Sequence, residues 1–451
     1  MIRVHNTMER ATVDFVTRDE GRVGIYVCGP TVQSEPHVGH GRYAVSFDVI
    51  RRYLMWRGLE VTYVSNVTDV EDKIIAAAAE SGEPVEQLAA RMAKRFANAF
   101  RKLGVLPPDI EPKATEHVPE MLDLIGTLVE RGLAYVRDGD VYFSVRALDD
   151  YGRLSGRRPD ELRAGHRVEV DEAKDDPLDF ALWKAAKPGE PVWDSPWGPG
   201  RPGWHIECSA MAERYLGRDF DIHGGGLDLI FPHHENEVAQ SEGATGETFA
   251  RYWLHNGMVN LGGEKMAKST GRLVGLESVL DEHGGRALRF LYARAHYRSP
   301  IEYSEELLAD ATESLERLDR FRARVEPGEP DPDAIRRFEE VMDDDFGTPQ
   351  AVSLVFDLVR EGNRALDAGE DASGLAGAVE EIVGVLGLDD AEAAPRSSQG
   401  PTDAEIEGLV AARNAARSNR RYDEADQIRD QLEAAGVAIE DGPDGTRWVR
   451  R

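Results

Sequence analysis

The chain has 451 residues, enough for about three domains at ~150 residues each. Hydrophobic residues make up 41% and charged residues 30%, which excludes a membrane-embedded chain and a wholly disordered one. Fifty-four Lys and Arg stand against 83 Asp and Glu, a formal net charge of −29, so nucleic-acid binding has to be argued from something other than charge.

No stretch approaches the ~18 apolar residues of a transmembrane helix. The opening MIRVHNTMERATVDF carries charges where a secretory signal needs an apolar run, and the expectation is a cytoplasmic protein. Lysine is scarce, at nine residues. Such an acidic surface resembles that of a protein from a halophile, where ~1 M salt shortens the Debye length to roughly 3 Å; an ordinary acidic bacterial protein is the alternative. Two cysteines, Cys28 and Cys208, exclude a disulfide framework and leave a metal-binding or catalytic role open.

In chain order, GRVGIYVCGP reads as a buried strand ending in a Gly-Pro turn. TVQSEPHVGHGR is a loop, and YAVSFDVIRRYLMWRG has helical spacing that stops at Gly58. LEVTYVSNVTDV supplies a second strand, completing a βαβ unit whose ligand belongs beyond the strand's carboxyl end. Residues 74–135 are mostly helical in pattern, and 136–200 alternate short strands with turns like an insertion between two halves of a sheet. RDFDIHGGG is a third sheet element before the helix HHENEVAQSEG. After about residue 305 the pattern is helical. Residues 389–405 are small and polar and read as a linker. From 411 to 451 eight arginines balance eight acids, so this last module is a candidate anion-binding face or a solvated helix with paired charges.

Three constellations carry chemistry. In PTVQSEPHVGH (30–40), His37 and His40 flank Gly39 where a strand hands over to a helix. Free N–H groups and imidazoles there suit phosphate oxygens; two polar loop histidines are the plainer reading. In KMAKS (265–269), Lys265 and Lys268 sit within four residues and read as a basic loop for a departing pyrophosphate, or as a solvated turn. Finally, Cys28, Cys208 in RPGWHIECSAM, and His233 with Glu237 at i,i+4 give two thiolates, an imidazole and a carboxylate, a reasonable zinc set. A surface His/Glu pair and two buried apolar cysteines are the alternative.

Taken together and in this order, these motifs resemble the class I cysteinyl-tRNA synthetases. HVGH is similar to the family's HIGH and KMAKS to its KMSKS. VCGPTV, NVTDVEDK, ATEHVPEM, FDIHGGGLDLIFPHHENE, AHYRSPIEYSEELL, MDDDFGTPQA and the C-terminal YDEADQIRDQLEAAGVAIEDGPDGTRW also match. The loop departs at Ala267, which replaces a serine, and STGRLVGLESVL lacks the usual Leu-Gly-Asn.

The resemblance implies an α/β fold: a Rossmann-type parallel-sheet catalytic domain with an inserted connective domain, then an α-helical bundle and a small C-terminal α+β module. The expected boundaries are 1–115 and 201–258 for the two catalytic halves, 116–200 for the insertion, and 259–310 for the KMSKS-loop stem-contact region. The bundle is 311–390, the linker 391–402 and the anticodon module 403–451. Implied activity is ligation of L-cysteine to tRNA-Cys through an adenylate, with Mg-ATP as substrate and one Zn2+ per chain on Cys28, Cys208, His233 and Glu237. His37, His40, Lys265 and Lys268 would be catalytic. Gly29, His37, Gly39, His40, Asp228 and Lys268 would contact ATP, Thr68 and Trp204 the substrate cysteine, and Arg420, Arg421, Arg447 and Trp448 the tRNA. A monomer is expected, since no long heptad pattern occurs. The rivals are a cysteine ligase acting on a small amino sugar, as in mycothiol synthesis, which lacks the last module, a zinc hydrolase, and a non-catalytic tRNA-binding paralogue.

Overall fold

The computed structural model describes residues 1–158, 160, 174–262, 264–265, 273–389, 403–418, 421, 425, 428–429, 432, 437–442 and 445–450. They fall into two compact units, Met1–Ala391 and Glu392–Arg451. The linker expected at 391–402 lies outside the described residues.

The first unit opens with a hairpin, β1 (Arg3–Asn6) and β2 (Ala11–Asp14), absent from the sequence reading. β3 (Arg22–Val27), α1 (Val38–Trp56) and β4 (Glu60–Ser65) form the βαβ unit. The chain after α1 turns at Gly58, whose φ of +82° is a left-handed conformation that glycine adopts without a Cβ penalty. α2 (Asp72–Ser81), α3 (Val85–Lys102) and α4 (Val118–Glu130) follow. β5 (Ala134–Arg137), β6 (Asp140–Phe143), β7 (Phe180–Ala185) and β8 (Gly200–Pro202) make an antiparallel sheet in that order.

The chain then returns through α5 (Ile206–Leu216), β9 (Phe220–Gly226), α6 (Glu235–Thr245) and β10 (Ala250–Asn256). The resulting sheet is parallel throughout, in the order β10-β9-β3-β4. Pro202 ends β8 and Gly203 follows it, so Trp204 precedes α5. The helix expected from His233 starts later. His233 and His234 close a short π-helical turn, Ile230–His234, that runs directly into α6, and Pro232 within it has no N–H to give a regular α-helical ladder.

A small sheet is built from β11 (Val259–Leu261), β12 (Glu264–Lys265) and β13 (Ile301–Glu302). α7 (Leu276–His283) and α8 (Gly285–Ala293) lead to a bundle of α9 (Glu305–Arg322), α10 (Pro332–Asp343), α11 (Thr348–Asp367) and α12 (Ser373–Leu386). One apolar core runs from β1 and β3 through α1 into these helices, and another fills the space toward the β5–β8 sheet. α1 can lie against the sheet because Gly224 of β9 has no side chain: a Cβ there would come within 2.3 Å of the Phe47 ring.

The second unit contains α13 (Asp403–Ser418) and an antiparallel hairpin of β14 (Val437–Gly442) and β15 (Gly445–Arg450). Ile406, Val410 and Leu432 are buried together in it. Among the described residues no helix is long and apolar enough to cross a membrane.

Candidate active site

A cavity of about 300 Å3 opens at the carboxyl ends of β3, β9 and β10, beside the start of α1. That is where an open parallel sheet offers a crevice. Its wall brings together Cys28, Gly29, His37, Gly39, His40, Thr68, Trp204, Cys208, Asp228 and His233. Residues expected from separate motifs therefore share one space.

One side is the N-terminus of α1. His37 is its extended N-cap, and its Nδ1 accepts the Gly39 N–H at 3.1 Å. His40 Nδ1 accepts the His37 N–H, also at 3.1 Å. Both Nδ1 atoms being acceptors, each neutral ring carries its proton on Nε2 and presents an N–H donor. The rings stack with centroids 3.7 Å apart. Burial lowers the pKa of His37, and burial together with His37 pushes His40 well below the usual imidazole value. Both shifts favour the neutral ring, which acts as an N–H donor.

The other side is a buried cluster. One ligand atom each from Cys28, Cys208, His233 and Glu237 lies within 4.8 Å of the others. Cys28, at the end of β3, has its Sγ 3.4 Å from Glu237 Oε1, and His233 Nε2 is 3.1 Å from the same oxygen. Burial raises both thiols, and burial lowers His233 far below the ordinary range. Among the described residues the ion-pair partners of Glu237 are all histidines, with no Lys or Arg. A buried carboxylate between two thiols, lacking a protein cation, is costly. A divalent soft metal relieves that charge and deprotonates thiols, so the donor set fits zinc.

Several residues here were not singled out from sequence. His223 Nε2 sits 2.8 Å from Glu237 Oε2, and Cys28, His223, His234 and Glu237 form a second overlapping donor set. His205 Nδ1 is 2.9 Å from His233 Nδ1, and burial takes the His205 pKa down to about 3. His234 Nδ1 meets His255 Nε2 at 2.8 Å. The histidines are visible in WHIE, DIHGG, PHHE and LHNG, but no spacing links them before the strands come together. Thr68 donates to the buried Glu207 at 2.8 Å, and burial raises the Glu207 carboxyl well above the usual range. The Trp204 ring centroid is 4.4 Å from that of His233.

Gly29 is required by the chain itself. Its N–H donates to Asn66 Oδ1 at 2.9 Å, and a Cβ there would fall 1.6 Å from the Asn66 carbonyl oxygen. Lys265 lies in β12 opposite Asn260, while its side chain and residues 266–269, Lys268 included, lie outside the described residues. Arg420 also lies outside them. The Arg421 N–H donates to the Ala416 carbonyl at 2.9 Å. Arg447 and Trp448 are in β15, paired with Glu440 and Ile439, and their side chains lie outside the described residues.

Residues 14–313 match the model of the tRNA synthetase class I (C) catalytic domain. Residues 337–389 match the DALR domain, and 400–448 the cysteinyl-tRNA ligase anticodon binding domain. The chain is 52% identical over 461 aligned positions to a cysteine–tRNA ligase of Thioalkalivibrio sulfidiphilus, covering 100% of both chains. It is equally identical to one of Alkalilimnicola ehrlichii, again with 100% of both covered. Among solved structures it is similar in fold to Mycobacterium tuberculosis methionyl-tRNA synthetase in complex with methionyl-adenylate, with a TM-score of 0.63 at 16% identity, covering 86% of this chain and 96% of that one. On full-length likeness and on its catalytic and C-terminal matches, the chain belongs to the class I cysteine–tRNA ligase family.

Proposed function

We propose that this chain charges tRNA-Cys with L-cysteine in two steps within the cavity at the start of α1. The cysteine carboxylate attacks the α-phosphorus of ATP and pyrophosphate leaves. A terminal hydroxyl of the tRNA then attacks the adenylate carbonyl and AMP leaves. The observation that carries this reading is the buried Cys28, Cys208, His233 and Glu237 set, which opens into the same cavity as the neutral N–H donors of His37 and His40.

Each wall has a role. The Nε2–H groups of His37 and His40 donate to phosphate oxygens as charge develops, and the exposed N–H groups of the helix start add to them. Gly39 leaves room for the nucleotide, and Asp228 holds the adenosine. Lys265 and Lys268, carried over by motif, meet the departing pyrophosphate. Trp204 and Thr68 close around the substrate side chain.

Cys28, Cys208, His233 and Glu237 would hold one zinc ion, which on binding supplies preference for a thiolate over a hydroxyl. Shape alone separates cysteine from serine by only ~1–3 kcal/mol.

Pyrophosphate exchange and tRNA charging, each with L-cysteine and L-serine, test the reading. Cysteine-dependent exchange and charging, both lost on zinc removal, are expected. Adenylate formation that passes cysteine to an amino sugar and never to tRNA would replace the reading. The match of residues 400–448 to an anticodon-binding model favours the tRNA.

A further inference from the structure

Among the described residues lining the cavity, one side chain is a Lys or Arg: Lys73. It sits in the first turn of α2, where a cation opposes the helix dipole, so helix stability does not explain it. Its ammonium lies 5.3 Å over the centroid of the Trp204 ring. Neighbouring acids are engaged elsewhere. Asp72 pairs with Lys184 and Arg201, and Glu71 accepts the backbone N–H of Lys73 at 2.6 Å. Among the described residues no carboxylate lies within ion-pair distance of Lys73 Nζ. Trp204 thus has the ammonium over its ring and the His233 ring 4.4 Å away.

We propose that Lys73 binds the α-carboxylate of the amino-acid substrate. The inference rests on the preceding reading, in which the substrate sulfur belongs to the Cys28, Cys208, His233 and Glu237 set. In cysteine the carboxyl carbon is three bonds from the sulfur, so a thiol held beside His233 directs its carboxylate along the Trp204 face toward Lys73. His37 and His40, held neutral, supply no full charge for it.

A lysine also suits the step that follows. Its ammonium is a compact point charge that can hold one carboxylate oxygen, leaving the other lone to attack phosphorus. An arginine fork would engage both oxygens. Binding and reactivity therefore separate in different variants.

The test is calorimetric binding of L-cysteine and of cysteamine to the full zinc-loaded chain. Cysteamine keeps the thiol and the amine and lacks the carboxylate. The unaltered chain is expected to prefer cysteine. In Lys73→Met, a change at an exposed side chain, cysteine should weaken about tenfold or more, the loss of one charge-assisted contact, while cysteamine and ATP binding stay unchanged. Lys73→Arg should recover cysteine binding yet slow pyrophosphate exchange. Cysteine binding by K73M equal to the unaltered chain overturns the inference. So does equal loss of cysteine and cysteamine, which would make Lys73 a support for Trp204, or a loss confined to ATP, which would make it a phosphate ligand. An unaltered chain that binds cysteine no better with zinc than without it would instead refute the thiol placement, a separate result from any of these.

Discussion

Asp48 of α1 and Arg289 of α8 form an ion pair shut off from solvent. Arg52 adds a second contact to Asp48 at 2.7 Å, and Arg289 Nε donates to the Leu386 carbonyl at 2.8 Å. The helix that begins with His37 and His40 is therefore clamped at its middle to the helices after the sheet. Burial pushes the Asp48 carboxyl up, but Arg289 and Arg52 outweigh it and hold the pKa below 3.8. The pair's contribution is complete above the ordinary aspartate pKa of 3.8 and fades as pH falls below it toward the folded value. Asp48→Ala leaves Arg289 buried and unpaired, which should cost about 3–5 kcal/mol in urea unfolding. Replacing both residues by apolar side chains should recover most of that loss. An Asp48→Ala midpoint within error of the unaltered chain would contradict the clamp.

The stacked His37 and His40 give a pH prediction with a definite sign. Both are held below the usual 6.5 when folded, whereas the unfolded chain titrates there. As pH drops below 6.5 the unfolded state takes up protons first, so stability declines while the folded imidazoles stay neutral. The rate of pyrophosphate exchange should show no break near pH 6.5 from these groups. His40→Ala removes a donor aimed at developing charge and should lower that rate about 10²–10³-fold. His40→Gln retains an N–H near the Nε2 position and should retain more activity than alanine. A break at pH 6.5 that vanishes in His40→Gln would mean the charged form works.

The sequence showed these histidines because their partners are local: the cap contacts join residues two and three apart. The βαβ unit was legible for a similar reason, its stop at Gly58 being a backbone requirement carried by one residue type. Cys28, Cys208, His233 and Glu237 stood out as residue types with metal-donor chemistry, and their proximity required β3, α5 and the start of α6 to converge. What stayed hidden was long-range burial of polar groups. Arg289 and Asp48 look like ordinary surface charges in composition, and their pairing spans 241 residues. His223 and His205 each lie in recognisable motifs, yet nothing local tells that they flank Glu237 and His233.

His223 holds one oxygen of Glu237 at 2.8 Å while the other oxygen faces Cys28 and His233. Where a carboxylate is a metal ligand, such support commonly changes affinity about 10–100-fold. His223→Ala should therefore lower zinc affinity by that factor in chelator competition while all four donors remain. Cys208→Ser should lose stoichiometric zinc outright. If His223→Ala keeps full affinity, the overlapping Cys28, His223, His234 and Glu237 set is not a functional alternative and Glu237 needs no help.

Gly29 separates a backbone requirement from a ligand contact. A Cβ there collides with the Asn66 carbonyl at 1.6 Å, so Gly29→Ala must displace the segment after β4 that carries Thr68. The expected result is a loss of thermal stability along with cysteine activation, measured by melting and by pyrophosphate exchange. An alanine variant that melts normally but raises the ATP KM would instead make the glycine a nucleotide contact alone.

The last unit offers a clean division of labour. Residues 1–389 contain the parallel sheet, the cavity and the cores around them. Residues 403–451 carry α13 and the β14–β15 hairpin, with their own small apolar cluster. A chain ending at 402 should therefore keep zinc and cysteine-dependent pyrophosphate exchange, because every described group in the cavity wall is retained. Charging of tRNA should fall, chiefly through a higher KM for the tRNA, because binding energy from a remote part of a substrate is lost. Added salt sharpens the test. Basic contacts to phosphates weaken steeply with ionic strength, so if Arg420, Arg421 and Arg447 bind tRNA, the full chain's KM for tRNA should rise with salt more than the shortened chain's does. Equal salt slopes in both would place the phosphate contacts outside the last unit, and equal loss of exchange and charging would make that unit a structural requirement of the first.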